Sequence, residues 1–403
     1  MKIFFRNIHL YLSLAAGLVI MVTCFTGAVL VFEEELNHTF SKERYYVDPQ
    51  GERLPLAQLV SNLNEKVPGA KVSAFRIYND PARSVELTFS PAEKKGEKKE
   101  GAGEKKKDAK PAAGRPGGGG GGGKKAFMNP YTGEVIEVYV YQDTFFYTMF
   151  ALHRWMLGGA VGKMIVGVCT LVFLFIILTG IILWWPKTRN ILKQRLKVKW
   201  DAGWKRLNHD LHIVLGFYAA IFLFIFAFTG LAWSFEWFND GIYKVTNSSP
   251  KGTPPPVSNY VAEAKPVAFD VVYQKAKTTV PDAHFYNIAK PKDSAAAYSV
   301  SMITPRSAHE SASDNLFIDQ YSGEVLQLQA FGDRNLGQRV RSTFKPVHIA
   351  SIWGTPSKII GLIVCLLGVT FPITGIIMWI NRLRKQKKTG KSKARSPQEA
   401  AAA

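Results

Sequence analysis

Four stretches of the chain are almost wholly apolar, at about 10–32, 163–185, 211–235 and 357–380, and none carries Asp, Glu, Lys or Arg in its central part. Each reaches the roughly 20 residues that an α-helix needs to cross a hydrocarbon layer about 30 Å thick. The pattern predicts four transmembrane helices. The first run is too long for the apolar core of a secretory signal, and no small-x-small cleavage site follows it, so it reads as an uncleaved span.

Between the spans the periodicity changes. In the long connection 33–162, residues 56–68 read as a short amphipathic helix ending at Pro68-Gly69. Strand-like runs follow at 71–78 and 84–90, and Tyr131-Thr-Gly marks a hairpin turn. The connection 236–356 has the same order: a helix near 267–280, runs at 283–289 and 296–303, and a hairpin at Tyr321-Ser-Gly. Each connection is expected to fold as a small α+β module, one helix on a few antiparallel strands. Residues 91–125, which interleave Lys with Glu and end in a glycine run, read as a flexible linker inserted between strands.

Composition sharpens this picture. The 403 residues are 47% hydrophobic and 20% charged, with a net charge of +20. Apolar residues collected into long runs exclude an ordinary soluble enzyme, a disordered chain and a disulfide-stapled secreted domain. Cys24, Cys169 and Cys365 all fall inside apolar runs and form no CxxC pair, which argues against iron–sulfur clusters and structural zinc. The positive charge is distributed by topology and gives no sign of nucleic-acid binding. Lys187, Arg189, Lys193, Arg195, Lys197, Lys199, Lys205 and Arg206 crowd the loop 186–210, and eight more basic residues fill the tail 381–403. Lys2 and Arg6 precede the first span. Basic residues beside spans mark the cytoplasmic side. Both termini are therefore expected in the cytoplasm, the two modules in the periplasm, and the chain in a bacterial inner membrane.

The two halves match in register. His9 precedes Thr26-Gly27 by 17 residues to the threonine, and His212 precedes Thr229-Gly230 by the same 17. His153 precedes Thr179-Gly180 by 26, and His348 precedes Thr374-Gly375 by 26. YTGEV at 131–135 echoes YSGEV at 321–325. The expected architecture is a tandem repeat of span, external module, span.

Histidine in or beside a span is costly and usually functional, and imidazole is a common ligand for haem iron. His9 and His212 fall at the cytoplasmic ends of spans 1 and 3; His153 and His348 fall just outside spans 2 and 4. If the halves are related by an axis along the membrane normal, each histidine faces its twin. Two facing imidazoles can clamp one iron, so the sequence predicts two bis-histidine b-type haems, one near each membrane face. Gly27, Gly180, Gly230 and Gly375 are expected to give a porphyrin edge room, or alternatively to allow close helix packing. Gly216 and Ser13 lie one turn past His212 and His9 and offer the same clearance. Arg6, Arg154 and Arg206 lie near the expected haem edges, where they would pair with propionates or with lipid phosphates. His209 reads as a surface or propionate-contacting residue, and His38 as an alternative ligand. His284 and His309 are expected to be exposed.

The stretches RNIHLYLSLAAGLVIMVTCFTG, LHRWMLGGAVGKMIVGVCTLVFLFIILTGIILWWP and HDLHIVLGF resemble the bacterial PepSY-associated transmembrane helix family. The resemblance covers nearly the whole chain apart from the linker and tail. It implies His9, His153, His212 and His348 as haem ligands, and one-electron reduction of Fe(III) held by a siderophore in the periplasm. The linker, and Ser13 where the second half has Gly216, depart from the pattern.

The chain carries no dinucleotide fingerprint and no Walker A loop, so the electron donor is expected to be a quinol or a separate cytoplasmic flavoprotein. Two other classes compete. The external modules could bind peptidases while the spans only anchor them, or the repeat could house a small-solute or siderophore transporter.

Overall fold

A computed structural model describes residues 2–91, 124–260 and 263–399 of the protein. The Gly/Lys-rich linker, apart from its ends, lies outside the described residues. The chain forms two units. One comprises Met1–Glu33, Phe145–Gly241 and Pro346–Ala403; the other comprises Glu34–Thr144 and Ile242–Lys345.

The principal helices that supply the first unit are α1 (Lys2–Leu30), α2 (Phe145–Trp155), α3 (Gly159–Trp184), α4 (Trp204–Ser234), α5 (Leu336–His348, whose last residues belong here) and α6 (Thr355–Glu399). α1, α3, α4 and the Thr355–Gln386 part of α6 are long and apolar enough to cross a membrane. This is a membrane protein. The four expected spans all form helices, but the helices outrun the apolar runs. α1 starts at Lys2 rather than near 10, and α4 at Trp204 rather than near 211. Apolarity records the lipid slab, whereas Lys, Arg and Leu extend a helix beyond it at little cost.

α1 packs against α3 and α6, and α4 packs against the same two, so the spans form a closed ring. Ala16, Ile20, Ile176, Ile177, Ala219 and Leu223 are buried on its inner side. Leu18, Phe175, Ile221 and Ile363 stand exposed on the outside, as lipid-facing side chains do. Between α2 and α3 the chain turns sharply through Met156 and Leu157, at φ 49° and 58°. A Cβ on Gly162 would overlap the Trp155 carbonyl, so glycine is what allows this turn to close.

The second unit is built on one antiparallel sheet. Its strands are β1 (Lys71–Tyr78), β2 (Val85–Ser90), β3 (Lys124–Met128), β4 (Val135–Tyr139), β5 (Phe285–Ala289), β6 (Tyr298–Ile303), β7 (Asp314–Ile318) and β8 (Val325–Gln329). They lie in the order β4-β3-β2-β1-β5-β6-β7-β8. The expected strands and hairpins are present, yet the two modules read from the sequence are joined. β1 pairs with β5 from Ala74↔Ala289 to Tyr78↔Phe285. A short sheet leaves an unpaired edge on its first strand, and pairing the two edges removes both.

The helices Leu56–Lys66 and Phe269–Thr279 cover one face of this sheet, where Leu59, Leu63, Phe75, Leu87, Val272, Tyr286, Ile288 and Val300 are buried. Each half also caps the other. The Asp270 carboxylate accepts hydrogen bonds from the backbone N–H of Leu56 (2.7 Å) and Ala57 (3.3 Å), the orphan donors at that helix start. On the other face the buried Glu86 accepts hydrogen bonds from Tyr78 (2.7 Å) and Lys125 (2.9 Å).

Candidate functional site

The helical bundle brings the four repeated histidines together in two pairs. His9 on α1 and His212 on α4 face each other with ring centroids 6.4 Å apart and planes at 85°. His153 at the end of α2 and His348 at the end of α5 stand 6.0 Å apart at 64°. Along α1 the two tiers are separated by the stretch from His9 to Thr23 and Gly27, roughly 21–27 Å at about 1.5 Å per residue. That is close to one hydrocarbon thickness.

Every one of these imidazoles meets a threonine hydroxyl through Nδ1, and three of them also meet a backbone carbonyl. His9 Nδ1 lies 3.0 Å from Thr179 Oγ1 and 3.1 Å from the Ile176 carbonyl. His153 Nδ1 lies 3.2 Å from Thr26 Oγ1 and 2.9 Å from the Thr23 carbonyl. His348 Nδ1 lies 3.1 Å from Thr229 Oγ1 and 2.9 Å from the Phe226 carbonyl. His212 Nδ1 lies 2.8 Å from Thr374 Oγ1.

The tautomer follows from hydrogen-bond counting. Each threonine hydroxyl has one proton, and each donates it to a carbonyl one turn back, as Thr26 does to Val22 (2.7 Å) and Thr229 to Ile225 (2.7 Å). Thr179 and Thr374 do the same to Phe175 and Thr370. The hydroxyl oxygen can then only accept from the ring, and so can the neighbouring carbonyl. Nδ1 therefore carries the proton, and Nε2 keeps its lone pair.

The glycine after each threonine has a specific task. A Cβ on Gly180 would stand 3.3 Å from His9 Cε1, one on Gly27 3.3 Å from His153 Cε1, one on Gly230 3.2 Å from His348 Cε1, and one on Gly375 3.4 Å from His212 Cε1. From the sequence, this space is expected to serve a porphyrin edge or helix packing. What occupies it is the edge of the imidazole.

A cavity of about 380 Å³ opens inside the ring of spans, within the range of small-molecule sites. His9, His212, Gly180, Gly216 and Gly375 line it, along with Ile176, Ile177, Leu223, Phe371 and other apolar side chains. Arg6 and Arg382 are its cationic lining residues. Trp184 lines it too, buried and stacked on Phe217 at 3.6 Å and 5°. Trp184 Nε1 and Arg382 Nε are buried with no acceptor.

Other residues singled out in the sequence fall elsewhere. Arg154 donates to the Trp233 carbonyl (2.9 Å), and the Trp233 ring lies 5.2 Å from His348. Arg206 and His209 both engage Asp210, at 2.8 and 3.2 Å. His38 packs on Tyr45 with centroids 4.2 Å apart, in the sheet unit. His309 packs on Phe331.

Among the described residues no group of three or more His, Cys, Asp or Glu gathers as a site for a bare metal ion. Each tier offers two imidazole nitrogens. Sequence reasoning saw the Thr-Gly pairs but missed that threonine fixes the histidine tautomer. The matched spacings of 17 and 26 residues carried that signal, since each places a threonine level with the histidine of the neighbouring helix. In the sequence Trp184 is one of several tryptophans at the ends of the apolar runs and Arg382 one of the basic residues of the tail, positions that suggest an interfacial aromatic and a topology charge.

The chain belongs to the family described as the PepSY-associated TM region, whose model matches residues 6–382. No curated protein matches the chain.

Proposed function

We propose that this chain is an inner-membrane di-haem b oxidoreductase, a tandem repeat that passes single electrons across the bilayer to siderophore-bound Fe(III) in the periplasm. The observation that carries this reading is the spacing of the paired imidazoles. With metal–nitrogen bonds of about 2.0 Å and a ring radius of about 1.1 Å, two imidazoles on opposite sides of one metal stand about 6.2 Å apart, centroid to centroid. The two tiers measure 6.4 and 6.0 Å.

The donor set fits haem. Two ligands suit a metal whose four in-plane positions are already filled, and at the His9/His212 tier the apolar cavity beside them suits a flat macrocycle. Haem supplies a one-electron Fe(III)/Fe(II) couple whose potential is set by axial ligands, burial and nearby charge. The chain's own residues would do the rest. Nε2 of His9, His212, His153 and His348 would bind iron, with Nδ1–H anchored by threonine, and at His9, His153 and His348 also by a carbonyl, so that each ring is aimed and made more basic. Gly27, Gly180, Gly230 and Gly375 let the edges of those rings approach the neighbouring helix. The apolar lining excludes water. Arg6 at one tier and Arg154 at the other are candidates for propionate contacts.

The basic loop and tail support cytoplasmic termini and a periplasmic sheet unit. On that orientation one electron leaves a quinol or flavoprotein donor at the His9/His212 tier. One electron reaches siderophore-bound Fe(III) beyond the His153/His348 tier and yields Fe(II), which siderophore oxygens hold far less tightly.

The test uses purified protein in liposomes. The account expects a Soret band that sharpens on dithionite, and reoxidation of the reduced protein when a ferric siderophore is added, with Fe(II) trapped by a ferrous chelator. A colourless protein from haem-replete cells would remove this reading. It would leave a membrane-anchored PepSY scaffold or a transporter to be tested.

A further inference from the structure

We infer that Trp184 and Arg382 anchor the carboxylate edge of the cofactor at the His9/His212 tier and so fix which way round it sits; this rests on the di-haem reading above. Both residues line the cavity that His9 and His212 line. Trp184 is only 7% exposed, and its Nε1–H has no acceptor; Arg382 Nε–H is likewise buried without one. Indole and guanidinium are donors only, so the missing partner must be an acceptor, and the positive charge of the guanidinium favours an anionic one. Trp184 cannot swing out to find water, because its ring is pressed flat on Phe217. Unpartnered buried donors are costly, and two on one cavity point to a ligand that completes them.

The charge around the cavity is one-sided. Arg6 on α1 and Arg382 on α6 line it, and α1 and α6 are neighbours in the ring. Among the described residues neither has a carboxylate within ion-pair distance. The residues at the matching positions of the other half, His209 and Lys187, do not line the cavity. A macrocycle carrying two carboxylates on one edge would therefore turn that edge toward the end of the cavity where Arg6, Arg382 and Trp184 lie. Arg382 would also bring a positive charge to the cavity that His9 and His212 line, which would favour the reduced form of a cofactor held there.

The acceptor chemistry is an anionic oxygen, and a lipid phosphate is its other source. The test is made on the full-length purified protein, with Arg382→Gln, Trp184→Phe and, as a control on the exposed face of the same helix, Arg384→Gln. Haem loss to excess apomyoglobin and the two midpoint potentials are measured. Arg382→Gln and Trp184→Phe should each release one haem roughly tenfold faster, the factor that one lost charge-assisted hydrogen bond implies. Arg382→Gln should also lower the potential of that haem alone, and Arg384→Gln should match wild type. Wild-type protein refilled with haem dimethyl ester, whose carboxylates are blocked, should lose it as fast as Arg382→Gln loses native haem. Unchanged release and potentials in both variants, or an ester retained like native haem, would overturn the inference in favour of a lipid phosphate. Wild-type protein that binds no haem would instead overturn the di-haem reading itself.

Discussion

His348 and Thr229 are fastened to each other across two helices: the ring Nδ1 sits 3.1 Å from a hydroxyl oxygen whose own proton goes to the Ile225 carbonyl 2.7 Å away. The hydroxyl can only accept, so the ring can only donate. The same arrangement recurs at Thr26, Thr179 and Thr374. Thr229→Val keeps the shape and removes the acceptor, leaving the Phe226 carbonyl as sole anchor. Partners of this kind are worth about 10- to 100-fold in metal affinity. The expected result is a haem at the His153/His348 tier that is lost at least tenfold faster, with the other tier unchanged, measured by haem transfer to an acceptor protein.

Gly230→Val should act on the same imidazole by a different route. Even a Cβ there would stand 3.2 Å from His348 Cε1, and the branched side chain would push the ring off the neighbouring helix. Haem occupancy should fall to about one per chain. Gly241→Ala is the control, because nothing lies within 4 Å of a Cβ at that position. It should leave haem content alone.

Much of this arrangement was legible in the sequence, and the limits have physical causes. The spans could be read because lipid demands about 20 apolar residues in a row. The histidine pairs could be read because their spacing to Thr-Gly recurs in both halves. The helix ends were missed, since Lys2 and Trp204 lie in helix that continues past the apolar stretch. The β1–β5 pairing was missed as well. Strand alternation around Phe75 and Ile288 says which face is buried, but nothing about which strand lies alongside. Finally, the Thr-Gly pair was read for the glycine alone. The role of the threonine emerges only when the proton on each hydroxyl is followed.

The cap that Asp270 places on Leu56 and Ala57 links the two halves of the sheet unit. Asp270→Ala should remove it at a cost of about 1 kcal/mol, the usual worth of a helix N-terminal cap. Thermal unfolding of the full chain should shift to lower temperature, while the haem spectrum below the transition stays that of wild type.

Glu86 supplies a pH dependence. Burial pushes its carboxyl up, but Lys125 and Arg76 more than offset this and hold it below the ordinary value of 4.5. A carboxyl depressed in the folded state contributes stability that is complete above its unfolded value. That contribution fades as pH falls through 4.5 toward the folded value. Glu86→Gln leaves Lys125 with a weaker partner. It should lower stability near neutral pH by about 1–3 kcal/mol. It should also flatten the loss on acidification, followed by denaturant unfolding at a series of pH values.

The most direct test of the paired imidazoles is haem stoichiometry per chain by pyridine haemochrome, on wild type and on the four single histidine-to-alanine variants. Two haems in wild type should fall to about one in each variant, with His9→Ala and His212→Ala sparing one spectral component and His153→Ala and His348→Ala the other. A wild-type protein without haem, or one whose haem content ignores all four substitutions, would contradict the account.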